Sequence, residues 1–135
     1  MKYLVILVLV LSTTLCQAQA KDNPFVGTWQ LVSGEYVNEK NELVDYKTLG
    51  INSQKVITQR HFSFVSMANG KFWAAGTGTY KHTSDEYSEQ PTMASFAMEN
   101  GGNYVFKYEM KGEYWHNSRW HGDKRVEYEV WQRID

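Results

Sequence analysis

Aromatic side chains carry the most recognisable chemistry of this sequence. All five tryptophans and all six phenylalanines lie after residue 20, as do all nine tyrosines except Tyr3. A buried aromatic side chain removes about 150–250 Å² from water, and Tyr and Trp add a polar group. In a small β-barrel such rings either fill the interior or line a cavity for one flat or apolar molecule. Both alternatives are open from the sequence.

The candidate ligand-binding residues are seven aromatic residues of predicted strands and one carboxylate: Phe62, Phe64, Trp73, Tyr104, Phe106, Tyr108, Trp131 and Glu129. If Glu129 points inward beside Trp131, loss of hydration would shift its pKa. The alternative is an exposed position at the rim of the barrel. Val126, Tyr128 and Val130 form an equally credible inner face of the same strand, so the sequence leaves its orientation open.

Signatures of catalysis and metal binding are weak. The four histidines (His61, His82, His116 and His121) fall on separate predicted strands and turns. His116 and His121 are five residues apart, so on one regular strand they face opposite sides. There is no Gly-x-Ser-x-Gly motif for a nucleophilic serine. We therefore predict no catalytic residue, no metal site and no cofactor. An enzyme, such as a small-molecule isomerase or hydrolase, is the least favoured hypothesis.

The first 20 residues have the pattern of a signal peptide. Lys2 supplies a positive charge, residues 4–11 form an apolar run, and Ala18-Gln19-Ala20 matches a cleavage site. The apolar run is shorter than the roughly 20 residues that a membrane-spanning helix needs. The prediction is an exported protein, periplasmic or secreted, whose residues 21–135 form one domain.

Cys16 is the single cysteine and lies within this predicted signal peptide. Cleavage would remove it, which excludes a disulfide framework and a thiolate nucleophile from the mature chain. Leu15 precedes it, where bacterial lipoprotein signals have a small residue, so we expect no lipid anchor.

Composition and charge narrow the classes of partner. The chain is 42% hydrophobic and 21% charged, with a formal net charge of −1, which is typical of a folded domain. The lack of a basic excess predicts no nucleic-acid partner and no stable membrane insertion. The oligomeric state is left open.

The chain after residue 20 alternates with the period of β-strands. Residues 104–111 place aromatic or apolar side chains at every second position. Asn69-Gly70 is a preferred dipeptide for a two-residue hairpin turn. Gly76 and Gly78 interrupt a strand pattern and predict a bend or bulge. About eight or nine such runs with short links predict an all-β fold, an antiparallel up-and-down β-barrel.

The opening of this region resembles a known family. Gly27-Thr28-Trp29 at the start of the first strand, with Arg133 at the end of the last, is similar to the signature of lipocalins and fatty-acid-binding proteins. The order of later runs resembles the lipocalin-like, calycin-type domain of small exported bacterial proteins: Lys55–Thr58, His61–Phe64, Gly70–Phe72 and Gly76–Tyr80. The resemblance implies that Gly27 lets the first strand pack tightly as it enters the base of the barrel. It also implies that Trp29 closes this end, with Arg133 over its ring, and that the protein binds a small molecule.

Two features depart from the fatty-acid-binding pattern. Glu129 and Trp131 occupy the positions where those proteins have Arg-x-Tyr on the last strand, and a glutamate would repel a fatty-acid carboxylate. Residues 38–49 offer a loop or one helical turn rather than a helical lid. We therefore expect a small apolar or aromatic ligand.

The main alternative is a non-enzymatic interaction protein with a solid core. It would bind protein or glycan through an exposed aromatic patch that includes Trp115 or Trp120. Trp115-His116 and Arg119-Trp120-His121 are expected to border the mouth of the barrel.

Overall fold

A computed structural model of the protein describes residues 22–135, so the predicted signal peptide lies outside the described residues. The strands are β1 (Gly27–Val37), β2 (Leu43–Asp45), β3 (Ile51–Ile57), β4 (His61–Ala68), β5 (Lys71–His82), β6 (Glu86–Ala94), β7 (Tyr104–Lys111), β8 (Tyr114–His121) and β9 (Lys124–Arg133). Short 3₁₀ turns lie at Tyr46–Leu49 and Asn100–Gly102.

The strands form one closed antiparallel barrel. β3 to β9 pair in sequence order, and β1 pairs with both β3 and β9, which closes a ring of eight strands. β2 pairs only with the end of β1, through Glu35–Val37. Closure leaves no exposed edge among the eight strands. The predicted all-β, up-and-down barrel is confirmed.

Two local signals were correct. Asn69 and Gly70 both have positive φ, of 49° and 76°, as a two-residue hairpin between β4 and β5 requires. The pairing of β5 with β6 shifts register between Thr77 and Gly78, as a bulge does. The bulge lets a strand as long as β5 bend around the barrel wall.

The segment before β3 contains more structure than the sequence suggests. Its helical part is one 3₁₀ turn, Tyr46–Leu49, and the Asp45 side chain caps that turn by accepting a hydrogen bond from the Lys47 amide. The short strand β2 immediately before it was not predicted. Nothing helical between residues 22 and 135 has both the length and the apolar character needed to span a membrane.

An aromatic core fills one end of the barrel. Phe25 comes just before β1 and is fully buried. Its ring centroid lies 4.7 Å from that of Tyr87, 4.8 Å from that of Tyr108 and 5.1 Å from that of Trp115. Trp29 and Trp115 are also fully buried and meet edge to face at 5.4 Å. These edge and tilted contacts are the arrangements that aromatic rings prefer.

Arg133 covers this closed end. Its guanidinium carbon lies 4.3 Å from the Trp29 ring centroid, and its two terminal nitrogens each donate to a carbonyl at 2.6 Å, those of Val26 and Pro24. Gly27 has a φ of 143°, and a Cβ there would collide with the backbone carbonyl oxygen of Asp135 and with the Arg133 guanidinium. The close approach therefore requires glycine.

Candidate functional site

A cavity of about 420 Å³ lies inside the other end of the barrel. Its wall comes from β1 between Leu31 and Tyr36, from the ends of the other long strands that lie away from Trp29, from the loop between β6 and β7, and from the 3₁₀ turn at Tyr46–Leu49. Its volume falls within the range of about 300–1,000 Å³ that is usual for small-molecule sites. The aromatic residues therefore fill one end of the barrel and line a cavity at the other.

The structure divides the candidate binding residues between these two ends. Six of them line the cavity: Phe64, Trp73, Tyr104, Phe106, Glu129 and Trp131. Phe62 and Tyr108 do not. Phe62 is only 1% exposed and is part of the core, whereas Tyr108 packs against Phe25 and donates a hydrogen bond to the Thr83 carbonyl at 2.8 Å. Both lie on inner faces, but at the closed end of their strands.

The orientation of β9 is settled in favour of Glu127, Glu129 and Trp131, all of which line the cavity. Tyr128 lies on the outer face, where its hydroxyl is 2.7 Å from Nδ1 of His116. Glu129 is therefore an interior residue, and the alternative of an exposed rim position is wrong. Register decides this, since Arg133 lies opposite Trp29 and positions two and four residues earlier share its face.

Glu129 is held by two neutral donors. The Tyr46 hydroxyl donates to Oε1 at 3.0 Å, and Nε1 of Trp131 donates to Oε2 at 2.9 Å. Burial raises the pKa of Glu129 to about 7, and the nearby Glu127 carboxylate adds to this increase. The Lys55 ammonium and the two hydrogen bonds oppose it. Glu129 therefore keeps its proton to a higher pH than an exposed glutamate does.

A buried ion pair lies deeper in the cavity. Lys55 Nζ is 2.6 Å from Glu89 Oε1, and the side chains are 5% and 8% exposed. The Tyr87 hydroxyl donates to the same oxygen at 2.9 Å. Burial, and then the Glu89 carboxylate, raise the pKa of Tyr87, so this hydroxyl keeps its proton. The sequence analysis did not predict this pair. The available signal was that each residue lies two positions from inward-pointing residues of its own strand.

Aromatic rings surround the Lys55 ammonium. Its nitrogen lies 5.1–5.9 Å from five ring centroids, those of Phe62, Phe64, Tyr87, Trp115 and Trp131. Cations within about 6 Å of a ring centroid are attracted by the negative face of the ring. These rings therefore help to stabilise the buried Lys55 ammonium.

A second ionic group borders the mouth. Arg119 Nε is 2.8 Å from Glu127 Oε2, and Arg119 Nη1 is 3.6 Å from Glu99 Oε2. The guanidinium carbon also lies 5.8 Å from the Tyr104 ring centroid. Arg119 therefore lies at the mouth, as expected. Its ion pairs link β8 to Glu127 of β9 and to Glu99 of the loop before β7.

Trp115 lies elsewhere than predicted, whereas Trp120 is exposed. Trp115 is fully buried in the aromatic core, so it borders no mouth and belongs to no exposed patch. Trp120 is 40% exposed, and its Nε1 donates to Ser118 Oγ at 3.0 Å. Within residues 22–135, no three His, Cys, Asp or Glu side chains are grouped in a way that could hold a metal ion.

These features define a class: a closed, eight-stranded antiparallel β-barrel, consistent with a calycin-like fold, with an aromatic core at one end and a cavity at the other. Comparison with protein-family models and with curated protein sequences finds no match. The chain is similar to the crystal structure of an uncharacterized protein from Bacteroides eggerthii, with 18% identity and a TM-score of 0.51. The likeness covers 82% of this chain and 99% of the other, and it supports the fold alone.

Proposed function

We propose that the protein is an exported, lipocalin-like protein that binds one small apolar or aromatic molecule in the barrel cavity. The cavity of about 420 Å³ is the observation that carries this proposal. Export is inferred from the signal-peptide pattern of residues 1–20. The lipocalin-like assignment is supported by the closed barrel and by Trp29 and Arg133 at its sealed end.

The composition of the cavity wall supports an apolar or aromatic ligand. Phe64, Phe106 and Trp131 present rings to the cavity, and Leu31 and Ile51 add aliphatic surface. Binding sites for small molecules combine such surfaces with a few polar groups that fix orientation. The carboxylate of Glu129 supplies one such group here.

A barrel filled by its own rings fits these observations less well. The aromatic residues at the closed end pack against each other, whereas the cavity occupies the space beside Phe64 and Trp131. The alternative of binding through an outer aromatic patch also lacks Trp115, which is buried. Binding inside the barrel is therefore the better account of where the rings lie.

The test measures binding of a neutral aromatic probe, 2-(1-naphthyl)ethanol, by isothermal titration calorimetry. Ala74 lines the cavity, so Ala74→Phe should fill part of it and weaken binding about tenfold or more. Val65 is 51% exposed, so Val65→Phe adds the same ring outside and should leave affinity unchanged. If Ala74→Phe does not fold, Leu49→Trp in the 3₁₀ turn blocks the cavity without altering a strand. Equal binding of the probe by the wild type and a folded cavity variant would overturn the proposal, as would a wild type that binds neither this probe nor its amine analogue, 2-(1-naphthyl)ethylamine.

A further inference from the structure

We infer that the ligand held in this cavity carries a protonated amine and that the carboxylate of Glu129 binds it. This inference rests on the proposed function, because it names the chemical class of the same ligand. It is argued from the charges on the cavity wall, from the partners of Glu129 and from the surroundings of Lys55.

Acidic groups outnumber basic groups on the cavity wall. The charged side chains that line it are four glutamates and two cations: Glu89, Glu99, Glu127, Glu129, Lys55 and Arg119. When all are ionised, the wall therefore carries an excess of negative charge. In a site with low-dielectric walls, such an excess attracts a cation and repels a carboxylate.

Both cations on the wall already have carboxylate partners. Lys55 pairs with Glu89 at 2.6 Å, and Arg119 pairs with Glu127 at 2.8 Å and reaches Glu99 at 3.6 Å. Within residues 22–135, no lysine, arginine or histidine nitrogen lies within 4.0 Å of the Glu129 carboxylate. Glu129 is thus the acidic group of the wall that lacks a positive partner.

The hydrogen bonds to Glu129 orient its carboxylate without neutralising it. Tyr46 and Trp131 each give one donor to a different oxygen, and both donors are uncharged. A carboxylate oxygen has two lone pairs, so each oxygen retains acceptor capacity. An ammonium group supplies three donors and a positive charge, and bonds between ionised partners are about twice as strong as neutral ones.

The same cavity wall contains an example of the proposed arrangement. The Lys55 ammonium is buried between the Glu89 carboxylate and a set of aromatic rings that includes Trp131, at 5.1 Å. The same Trp131 side chain donates its Nε1 hydrogen to Glu129. Tyr36 and Tyr46, with centroids 5.8 Å apart, also border the cavity. Around Glu129, as around the lysine ammonium, a carboxylate therefore lies among aromatic side chains.

Binding of an amine should depend on pH through Glu129. The titratable groups near it are one acid, one base and two tyrosines: Glu127, Lys55, Tyr46 and Tyr87. Burial, and then Glu127, raise the pKa of Glu129 to about 7. An alkylamine has a pKa of about 10, so it stays protonated throughout this pH range and binds the carboxylate form of Glu129. Its affinity should therefore increase from about pH 6 to about pH 8, and that of a neutral ligand should not.

The test uses three probes with the same aromatic body: 2-(1-naphthyl)ethylamine, 2-(1-naphthyl)ethanol and 1-naphthylacetate. Calorimetry near neutral pH compares the wild type with Glu129→Gln and with Glu109→Gln, a matched change at an outer position whose side chain is 66% exposed. The amine should bind the wild type and Glu109→Gln about tenfold or more tightly than the alcohol, as a charged hydrogen bond predicts. The acetate should bind most weakly, and Glu129→Gln should bind amine and alcohol alike.

Each outcome separates this inference from the proposed function. Equal affinity of the wild type for the amine and the alcohol would overturn the inference and leave the proposed function intact. Binding of none of the three probes would count against the proposed function itself. Retention of the amine preference by Glu129→Gln would show that another group binds the cation. Binding of the alcohol by Glu129→Gln shows that the cavity of this variant is intact. The comparison of amine with alcohol in the wild type does not depend on any variant folding.

Discussion

Lys55 Nζ lies 2.6 Å from Glu89 Oε1 inside the barrel, and 34 residues of sequence separate the two. Taking two such ions out of water costs several kcal/mol for each. Their mutual attraction, the hydrogen bond from Tyr87 and the rings around Lys55 offset that cost. The pair is therefore a strong constraint on how β3 and β6 face each other, whatever its net contribution to stability.

Removal of either partner should be costly. Lys55→Met or Glu89→Gln leaves the other ion buried without its counterpart, and each should lower the free energy of unfolding by about 3–5 kcal/mol. The double variant leaves no unpaired ion, so its loss should be smaller than the sum of the two single losses. Urea unfolding of all four proteins checks this. Additive losses would mean that the two groups do not interact in the folded protein.

Glu129 should make the stability fall as the pH rises. Its ordinary pKa of 4.5 is raised to about 7 by burial and by Glu127, so between these values the folded protein keeps a proton that the unfolded chain has lost. Stability should therefore decrease through this window, by on the order of 3 kcal/mol relative to Glu129→Gln, which stays neutral. Urea unfolding at several pH values measures the difference, with Glu109→Gln as control. Parallel curves for the wild type and Glu129→Gln would contradict the prediction.

Arg133 should stabilise the closed end through its shape as well as its charge. Arg133→Met removes the cation over Trp29 and leaves the Pro24 and Val26 carbonyls without a donor. The expected loss is about 2–4 kcal/mol, from the cation–π contact and the charged hydrogen bonds. Arg133→Lys keeps the charge without the planar fork and should recover only part of it. Arg60→Met, at an exposed position, serves as the control. If Arg133→Met leaves the midpoint of thermal unfolding unaltered, Arg133 does not stabilise the closed end.

Two glycines should differ sharply in their tolerance of alanine. A Cβ at Gly70 would meet no atom within 4 Å, so Gly70→Ala carries only the strain of its positive φ, about 1–2 kcal/mol. A Cβ at Gly78 would collide with the Gln90 carbonyl and lie 2.7 Å from Pro91 Cα, both backbone atoms of β6. Gly78→Ala should therefore cost more, about 3 kcal/mol or above. Equal denaturation midpoints for the two variants would argue against the close packing of β5 on β6.

Much of the architecture was predictable because it depends on local signals. Alternation along residues 104–111, the Asn69-Gly70 turn and the interruption near Gly78 each reflect interactions between residues close in sequence. The short strand β2 escaped prediction because three residues carry too little periodicity to detect. The 3₁₀ turn that follows it was anticipated only as one helical turn.

The candidate site was predictable only in part. Side-chain alternation put Phe64, Phe106 and Trp131 inside the barrel, but it equally put Phe62 and Tyr108 inside. Alternation predicts whether a side chain points inward or outward, but not its position along the barrel axis. Every second residue points inward from one end of a strand to the other. The position along the axis depends on the stagger between strands, which follows from barrel closure.

The amino-acid sequence by itself determined the class of fold and the positions of several turns, and its resemblance to lipocalins implied that Trp29 seals one end. Only the tertiary structure decided that Glu129 faces inward, that Lys55 meets Glu89 and that the rings leave a cavity. Turns and strand periods arise from neighbouring residues, whereas the inner face of β9 depends on its register with β1. The Lys55–Glu89 pair and the cavity depend further on how eight strands curve around a common axis, which no short stretch of sequence specifies.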